Sequence, residues 1–342
     1  MLHFRDMKFL LALMTALHAP PALGCSAFLI SQGGESLVAD RFDFSTNDGL
    51  VVAHLRGQAK QALIYPTFKG SPAKWIAKWG SVTFGIMGAQ LPFSGMNENG
   101  LVVKSLRDSE AIYAEKRDSR PYINNRQVYQ YLLDQAADLP EALDLLRSVR
   151  VQDVFRKNRM FLCDRLDRCA VVEFMRGQLK IYQGQSLPTM AITNAPYEDS
   201  LHGKDGDGRF TVIARRLRQV EPTRALPDYA LETLDKVAMP GLTGWEVLYD
   251  RKERQVAFRS PQAPALKTVA FKSIDFSPRG KVLMLNIHER RGGDVTSMLR
   301  PYDPELDAKL LRTYMNGIGQ FIEKRFPGIT ASVLTVTSHG GA

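Results

Sequence analysis

Residues 25–44 read CSAFLISQGGESLVADRFDF: two apolar-rich, strand-like runs punctuated by Gly33-Gly34 and ending in an aspartate flanked by phenylalanines. The question they raise is why Cys25 stands where it does. Directly before it, MLHFRDMKFLLALMTALHAPPALG has a basic start at Arg5 and Lys8, a short apolar core from Phe9 to Leu17, and a break at Pro20-Pro21. Ala22-Leu23-Gly24 then sets small residues at alternate positions, as a signal peptidase accepts. We read 1–24 as a signal peptide, with Met1 or Met7 as the start, and 25–342 as one exported domain, periplasmic or secreted. An N-terminal core helix is the competing reading. A lipid-bearing cysteine is another, although the lipobox leucine three residues before the cysteine is Ala22 here.

Around this stretch, strand-like runs dominate the first third: GLVVAHL, QALIYP, SVTFGIMG and GLVVKSL. Apolar spacing of three and four predicts helices over 125–137 and 140–149. Strands return in MFLC, CAVVEF, LKIYQG and MAITNAP, and helices at about 210–218 and 226–238. WEVLYD, QVAFRS, KTVAFKSID and KVLMLNI follow as strands, and Pro304 opens one long amphipathic helix through LDAKLLRTYMNGIGQFIEKRF. Strands in meanders, not alternating singly with helices, argue for α+β: two antiparallel sheets with helices outside.

The net charge of +9 is spread along all 342 residues. Its clusters, RKNR at 156–159 and the pairs at 215–216 and 290–291, lack aromatic interleaving and read as solvated faces, which argues against nucleic acid. No segment after the leader approaches the roughly 20 apolar residues of a membrane span. The six histidines show no metal-ligand spacing, so neither metal nor cofactor is expected.

Three cysteines are an odd number for an exported chain. Cys163 and Cys169 flank a polar turn between two apolar runs, so an oxidising compartment would pair them. Cys25 is then the spare thiol. Cleavage after Gly24 would give it a free α-amine, whose pKa of roughly 7.7–8.0 lets it serve as a base near neutrality. One residue then supplies both nucleophile and base.

The 25–44 stretch resembles the start of the choloylglycine hydrolase family, which includes penicillin V acylases and conjugated bile salt hydrolases. The resemblance continues through WGSVTFGIMGAQLPFSGMNENGLVV, MAITNAPYEDS, GRF at 208–210 and GWEVLYDRKERQVAFRS. It implies the αββα four-layer sandwich of the N-terminal nucleophile (Ntn) hydrolases, and hydrolysis of a linear non-peptide amide without a cofactor. Penicillin V, a conjugated bile salt or an N-acyl homoserine lactone are substrates it allows, and a tetramer follows by analogy. By the same resemblance Cys25 is the nucleophile, Asp43 holds its α-amine, Asn194 donates to the oxyanion, and Arg209 sits near the thiol. Many members carry Arg three residues before the aspartate; that slot is Asp40 here, with Arg41 one place along. Arg107 falls where bile salt hydrolases have a second oxyanion contributor. Phe44 and the loop after it, with the Leu91-Pro92-Phe93 loop, are expected at the acyl pocket, and Arg41 and Arg107 are further candidates for substrate contact. The rival class is an exported non-catalytic lipoprotein or binding module on the same fold.

Overall fold

The computed structural model describes residues 24–44, 48–115, 118–221, 223–317 and 319–339, with backbone alone for Thr243 and 336–339. The proposed leader up to residue 23, and residues 45–47 of the loop after Phe44, lie outside the described residues.

The opening stretch folds as a hairpin, β1 (Gly24–Gln32) and β2 (Glu35–Phe44). Its turn needs a left-handed backbone at both central positions, and Gly33 (φ +59°) and Gly34 (φ +86°) supply it without a Cβ clash. The register pairs Cys25 with Phe42, Ser26 with Arg41 and Ala27 with Asp40. Directly opposed residues share a face, so Cys25, Asp40 and Phe42 lie on one side of the sheet and Arg41 and Asp43 on the other.

This hairpin sits within a seven-stranded sheet, with Ala191–Ile192 beside β1 and Thr243–Asp250 beside β2. Antiparallel pairing continues outward through Gln255–Ser260 and Ala263–Ala270, and a short parallel strand, Gly293–Asp294, ends that edge. A nine-stranded sheet faces it, built from the meander Ser81–Gly85, Ser94–Asn97, Val102–Arg107, Asn158–Cys163, Cys169–Met175 and Gln178–Gln183. Leu50–His54, Leu283–Asn286 and Arg300–Pro301 complete it at the other edge.

Between the sheets, Phe42, Trp245 and Val247 meet Val51, Phe84, Met96 and Phe161 in one buried cluster. Helices Arg209–Leu217 and Leu226–Lys236 cover the outer face of the first sheet through Ile213, Tyr229 and Leu234. Helices Gln127–Gln135 and Leu139–Ser148 cover the second through Leu132, Leu133 and Leu143, against Val103 and Met160. The order helix, sheet, sheet, helix is the four-layer sandwich expected from the sequence.

Three local expectations change. QALIYP is not a strand: pairing stops at Gln61, and Leu63 gives its N–H to the side chain of Gln127. The long C-terminal helix is instead two, Pro304–Asn316 and Gln320–Arg325, followed by Ile329–His339. Gly317 and Gly319 flank the break, where a Cβ on Gly319 would meet the Met315 backbone at 2.7 Å. The basic cluster at 156–159 is not a solvated face, because Arg159 is buried between Asp108 and Glu173. Cys163 and Cys169 stand opposite one another across their hairpin and are disulfide-bonded. Closing so short a loop contributes about 2.4 kcal/mol in the chain-entropy picture. No helix among the described residues is long and apolar enough to cross a membrane.

Candidate active site

Cys25 is the free cysteine, buried on the face of β1 that looks into the gap between the sheets. Its main chain is held at both ends. The Cys25 N–H donates to Asn194 Oδ1 at 2.7 Å, and Arg209 Nη1 donates to the Cys25 carbonyl at 2.8 Å. A third bond, Arg209 Nη2 to Asn194 Oδ1 at 3.1 Å, closes the triangle. Asn194 reaches it from the end of the edge strand Ala191–Ile192 that pairs with β1. Arg209 reaches it because the loop at 202–208 ends on Gly208 (φ +71°), from which the helix Arg209–Leu217 starts. Asp207 in that loop takes the Arg209 Nε–H at 2.7 Å and fixes the guanidinium plane.

The structure brings Cys25, Asn194 and Arg209 together, but their bonds differ from those expected. The Asn194 amide N–H₂, expected to face an oxyanion, donates to the Arg107 carbonyl at 2.9 Å. Arg209 grips the carbonyl of Cys25 and not its thiol. Asp43 lies opposite Gly24 in the register, and its carboxylate accepts from Arg41 Nε at 2.8 Å and from the Met239 N–H at 3.2 Å. The Cys25 nitrogen is an amide with Gly24 attached, and its single hydrogen goes to Asn194.

Arg41 is a correction. It lies on the face of β2 turned away from the thiol, paired with Asp43 and Glu246, so it does not line the cleft. The side chain that shares the thiol's face is Asp40, salt-bridged at 2.6 Å to buried Lys104 of the opposite sheet and hydrogen-bonded by the Tyr249 hydroxyl at 3.1 Å. This pair occupies the place where the resemblance led us to look for an arginine. Lys104 was missed by the sequence reading; a lysine interrupting the apolar strand GLVVKSL was the available signal.

Electrostatically the thiol is restrained. Burial pushes the Cys25 pKa up; Lys104 pulls it down, Asp43 and Asp40 push it up, and Arg209 pulls it down. Burial wins, so the thiol in this environment resists ionisation. Asp43 is also raised, by burial foremost, with Arg41 opposing.

Beside the thiol runs a narrow cleft with about 20 Å³ of free space, room for a single water. Phe44, Phe93 and Arg107, all anticipated, line it together with Cys25 and Phe42. Ser105, Arg126, Arg156, Asn158 and Tyr314 also line it, and none of these was foreseen. Phe42 stacks on Trp245 at 4.3 Å and meets Phe93 edge-on at 4.7 Å, so the walls are rigid aromatics. Among the described residues no group of three or more His, Cys, Asp or Glu side chains is placed to hold a metal ion.

Comparison with known proteins converges on one family. Residues 31–199 match the model of linear amide C-N hydrolases, choloylglycine hydrolase family. Penicillin V acylase of Pectobacterium atrosepticum is 24% identical over 265 residues, covering 60% of this chain and 70% of the relative. The penicillin V acylase structure from Agrobacterium tumefaciens superposes with a TM-score of 0.68 at 21% identity, covering 82% of this chain and 98% of that one. A conjugated bile acid hydrolase from Clostridium perfringens gives 0.65 at 12% identity, over 79% and 98%. The fold is therefore that of the Ntn hydrolases, and the chain belongs to the choloylglycine hydrolase family of linear amide C-N hydrolases.

Proposed function

We propose that the enzyme hydrolyses its amide through Cys25 acting as an N-terminal nucleophile, released by export processing after Gly24. The observation that carries this reading is the placement of the one free thiol among the described residues, at the head of β1, beside the cleft, with its backbone held by Asn194 and Arg209.

With Gly24 attached, Cys25 has an amide nitrogen, which is no base at neutral pH. Scission of the Gly24–Cys25 bond turns it into an amine. One amine hydrogen keeps the bond to Asn194 Oδ1, and in this scheme another turns to Asp43, which stands opposite Gly24 across the hairpin. The amine takes the thiol proton, Sγ bonds to the substrate carbonyl carbon, and the C=O π pair moves onto oxygen. The Asn194 amide exchanges the Arg107 carbonyl for that oxyanion. As the oxyanion collapses the C–N bond breaks, and the proton held on the amine passes to the departing nitrogen. Water then adds to the thioester, giving the carboxylic acid and restoring the thiol. No cofactor enters this scheme. Penicillin V, a conjugated bile salt and an N-acyl homoserine lactone form the first substrate panel.

The test compares the protein beginning at Cys25 with one carrying an added alanine before it. The first should turn over a panel amide; the second, and Cys25→Ala, should fold with unchanged circular dichroism and be inactive. Equal rates from the two N-termini would remove the α-amine from the mechanism. The lipoprotein alternative predicts an acylated Cys25 and so a heavier intact mass for the exported protein.

A further inference from the structure

Arg159 is 1% exposed and carries a charge that the hydrolytic scheme does not use. Alternation along the strand Asn158–Cys163 sets it on the face of Phe161, toward the first sheet, and opposite Met160 and the outer helices. Its guanidinium reaches three segments at once. Nη2 pairs at 2.8 Å with Asp108 Oδ1, just beyond the strand Val102–Arg107, and Nη1 pairs at 2.9 Å with Glu173 Oε1 on Cys169–Met175. Nη1 also donates to the carbonyl of Ala195, in the loop that follows Ala191–Ile192 of the first sheet. Glu173 carries the grip one step further, since the same Oε1 accepts the Tyr197 N–H at 2.8 Å. The loop that presents Asn194 is thus held twice on its C-terminal side, at Ala195 directly and at Tyr197 through Glu173.

These grips flank one hydrogen bond of the candidate site. Asn194 Nδ2 donates to the Arg107 carbonyl at 2.9 Å, and Arg159 holds the residue after each partner: Asp108 after Arg107, and Ala195 after Asn194. The guanidinium therefore sets the spacing of two segments, one from each sheet, across which the Asn194 amide lies. Stability alone does not account for such a group, because a buried ion pair is often no more stable than apolar residues of the same volume; its best-attested use is to fix one arrangement. Arginine suits that use. Its planar fork donates in set directions to several acceptors, whereas a lysine ammonium is a point charge on a flexible stem. Burial foremost pushes the Glu173 pKa up, with Arg159 and then the Tyr197 N–H opposing, so those two contacts favour the carboxylate form.

We propose that Arg159 is a positioning residue for the amide hydrolysis: by gripping Asp108 and Ala195 it keeps the Asn194 amide beside the cleft, whether that amide donates to Arg107 or to the oxyanion. The inference rests on the hydrolytic reading and adds to it a residue that does not itself line the cleft. When the Asn194 amide leaves the Arg107 carbonyl, the contacts at Ala195 and Tyr197 remain, so the loop backbone stays in place. Lysine at position 159 keeps a positive charge between Asp108 and Glu173. It cannot meet both carboxylates and the Ala195 carbonyl in the same directions, so the loop loosens while the charge pairing survives.

The experiment uses the protein beginning at Cys25 and whichever amide it cleaves fastest among penicillin V, a conjugated bile salt and an N-acyl homoserine lactone. Arg159→Lys should lower kcat by about 10- to 100-fold, the effect of a small misplacement, and leave KM within about threefold of wild type. In the Asn194→Ala background the same change should cost less than about twofold more, because the residue it acts through is gone. Equal losses in both backgrounds would mean a structural role alone and would overturn the proposal. Should Arg159→Lys fail to fold, Asp108→Asn weakens the grip with the arginine in place and must show the same non-additivity. Hydrogen exchange gives a readout that needs no turnover. The Tyr197 amide should exchange at least about tenfold faster in Arg159→Lys, with the Ser81–Gly85 amides unchanged. Exchange at Tyr197 as slow as in wild type would also overturn the proposal. Faster exchange there, with no cleavage of any of the three amides by the unaltered protein, would uphold the grip on the Asn194 loop and count against the hydrolytic reading.

Discussion

At the residue scale, the thiol is poised by position and not by acidity. Burial outweighs Lys104 and Arg209, so the proposed scheme needs a base close to neutral Cys25 to deprotonate it, and the α-amine is the group that processing would create. Asn194 is the more exposed assumption, because its amide already serves the Arg107 carbonyl. If it donates to the oxyanion, Asn194→Ala should lower kcat by about 10²–10³-fold. It would also release the Cys25 N–H and one Arg209 hydrogen bond, so circular dichroism and kcat must be read together. Near wild-type turnover would take Asn194 out of the chemistry. Cys25, Asn194 and Arg209 were legible because each sits in a short motif whose order resembles a family. Arg126 and Arg156 were not. They carry no motif, and a charged residue reads as solvated until the fold places it; only the sheet-on-sheet packing brings them to one cleft with Cys25.

At the element scale, local pattern served best where pairing is local. The β1–β2 hairpin, the Cys163–Cys169 hairpin and the helix Gln127–Gln135 follow from glycine pairs, alternation and three-four spacing. The C-terminal helix was misjudged because its apolar spacing runs through Gly317 and Gly319, whereas the chain breaks there. The first of its two pieces, Pro304–Asn316, brings Tyr314 to the cleft and is anchored by Asp307. Asp307 Oδ2 accepts the Ala89 N–H at 2.8 Å and the Tyr302 hydroxyl, while Oδ1 is buried without a partner. The helix thereby clamps the loop leading to Phe93. Burial raises the Asp307 pKa above its usual 3.8, with the Tyr302 bond opposing. A raised pKa means that the folded state binds the proton more tightly. The stability Asp307 contributes is complete below the unfolded pKa and is lost as pH climbs through the folded one. Asp307→Asn cannot ionise and escapes that loss. Its thermal midpoint relative to wild type should become more favourable as the pH is raised above the ordinary carboxylate range. A difference independent of pH would show that this carboxylate does not titrate out of a buried site.

At the scale of the whole molecule, the strand that carries Cys25 is held by segments far from it in sequence. β1 lies between Ala191–Ile192 and β2, and β2 takes its other neighbour from Thr243–Asp250, where Gly244 sits so close that a Cβ would fall 1.4 Å from the Phe42 carbonyl oxygen. Trp245 from that strand stacks on Phe42, and Leu283–Asn286 closes on Leu50–His54 in the opposite sheet. The region matching the family model, 31–199, thus contains β2 and the second-sheet meander but not the strands that cover their open edges. Non-local pairing of this kind delays the return on chain closure until late in folding. A chain ending at residue 201 would leave the Phe42 face and two long edges open to water, a template for aggregation. We expect residues 25–201 alone to show no cooperative urea transition and little near-ultraviolet dichroism, whereas residues 25–342 should lose near- and far-ultraviolet signals together in one transition. A fragment that unfolded cooperatively would show that the C-terminal part is a separate unit. The β1–β2 hairpin would then fold without the strand Thr243–Asp250, and the C-terminal part would act on Cys25 only through contacts such as Arg209 to its carbonyl.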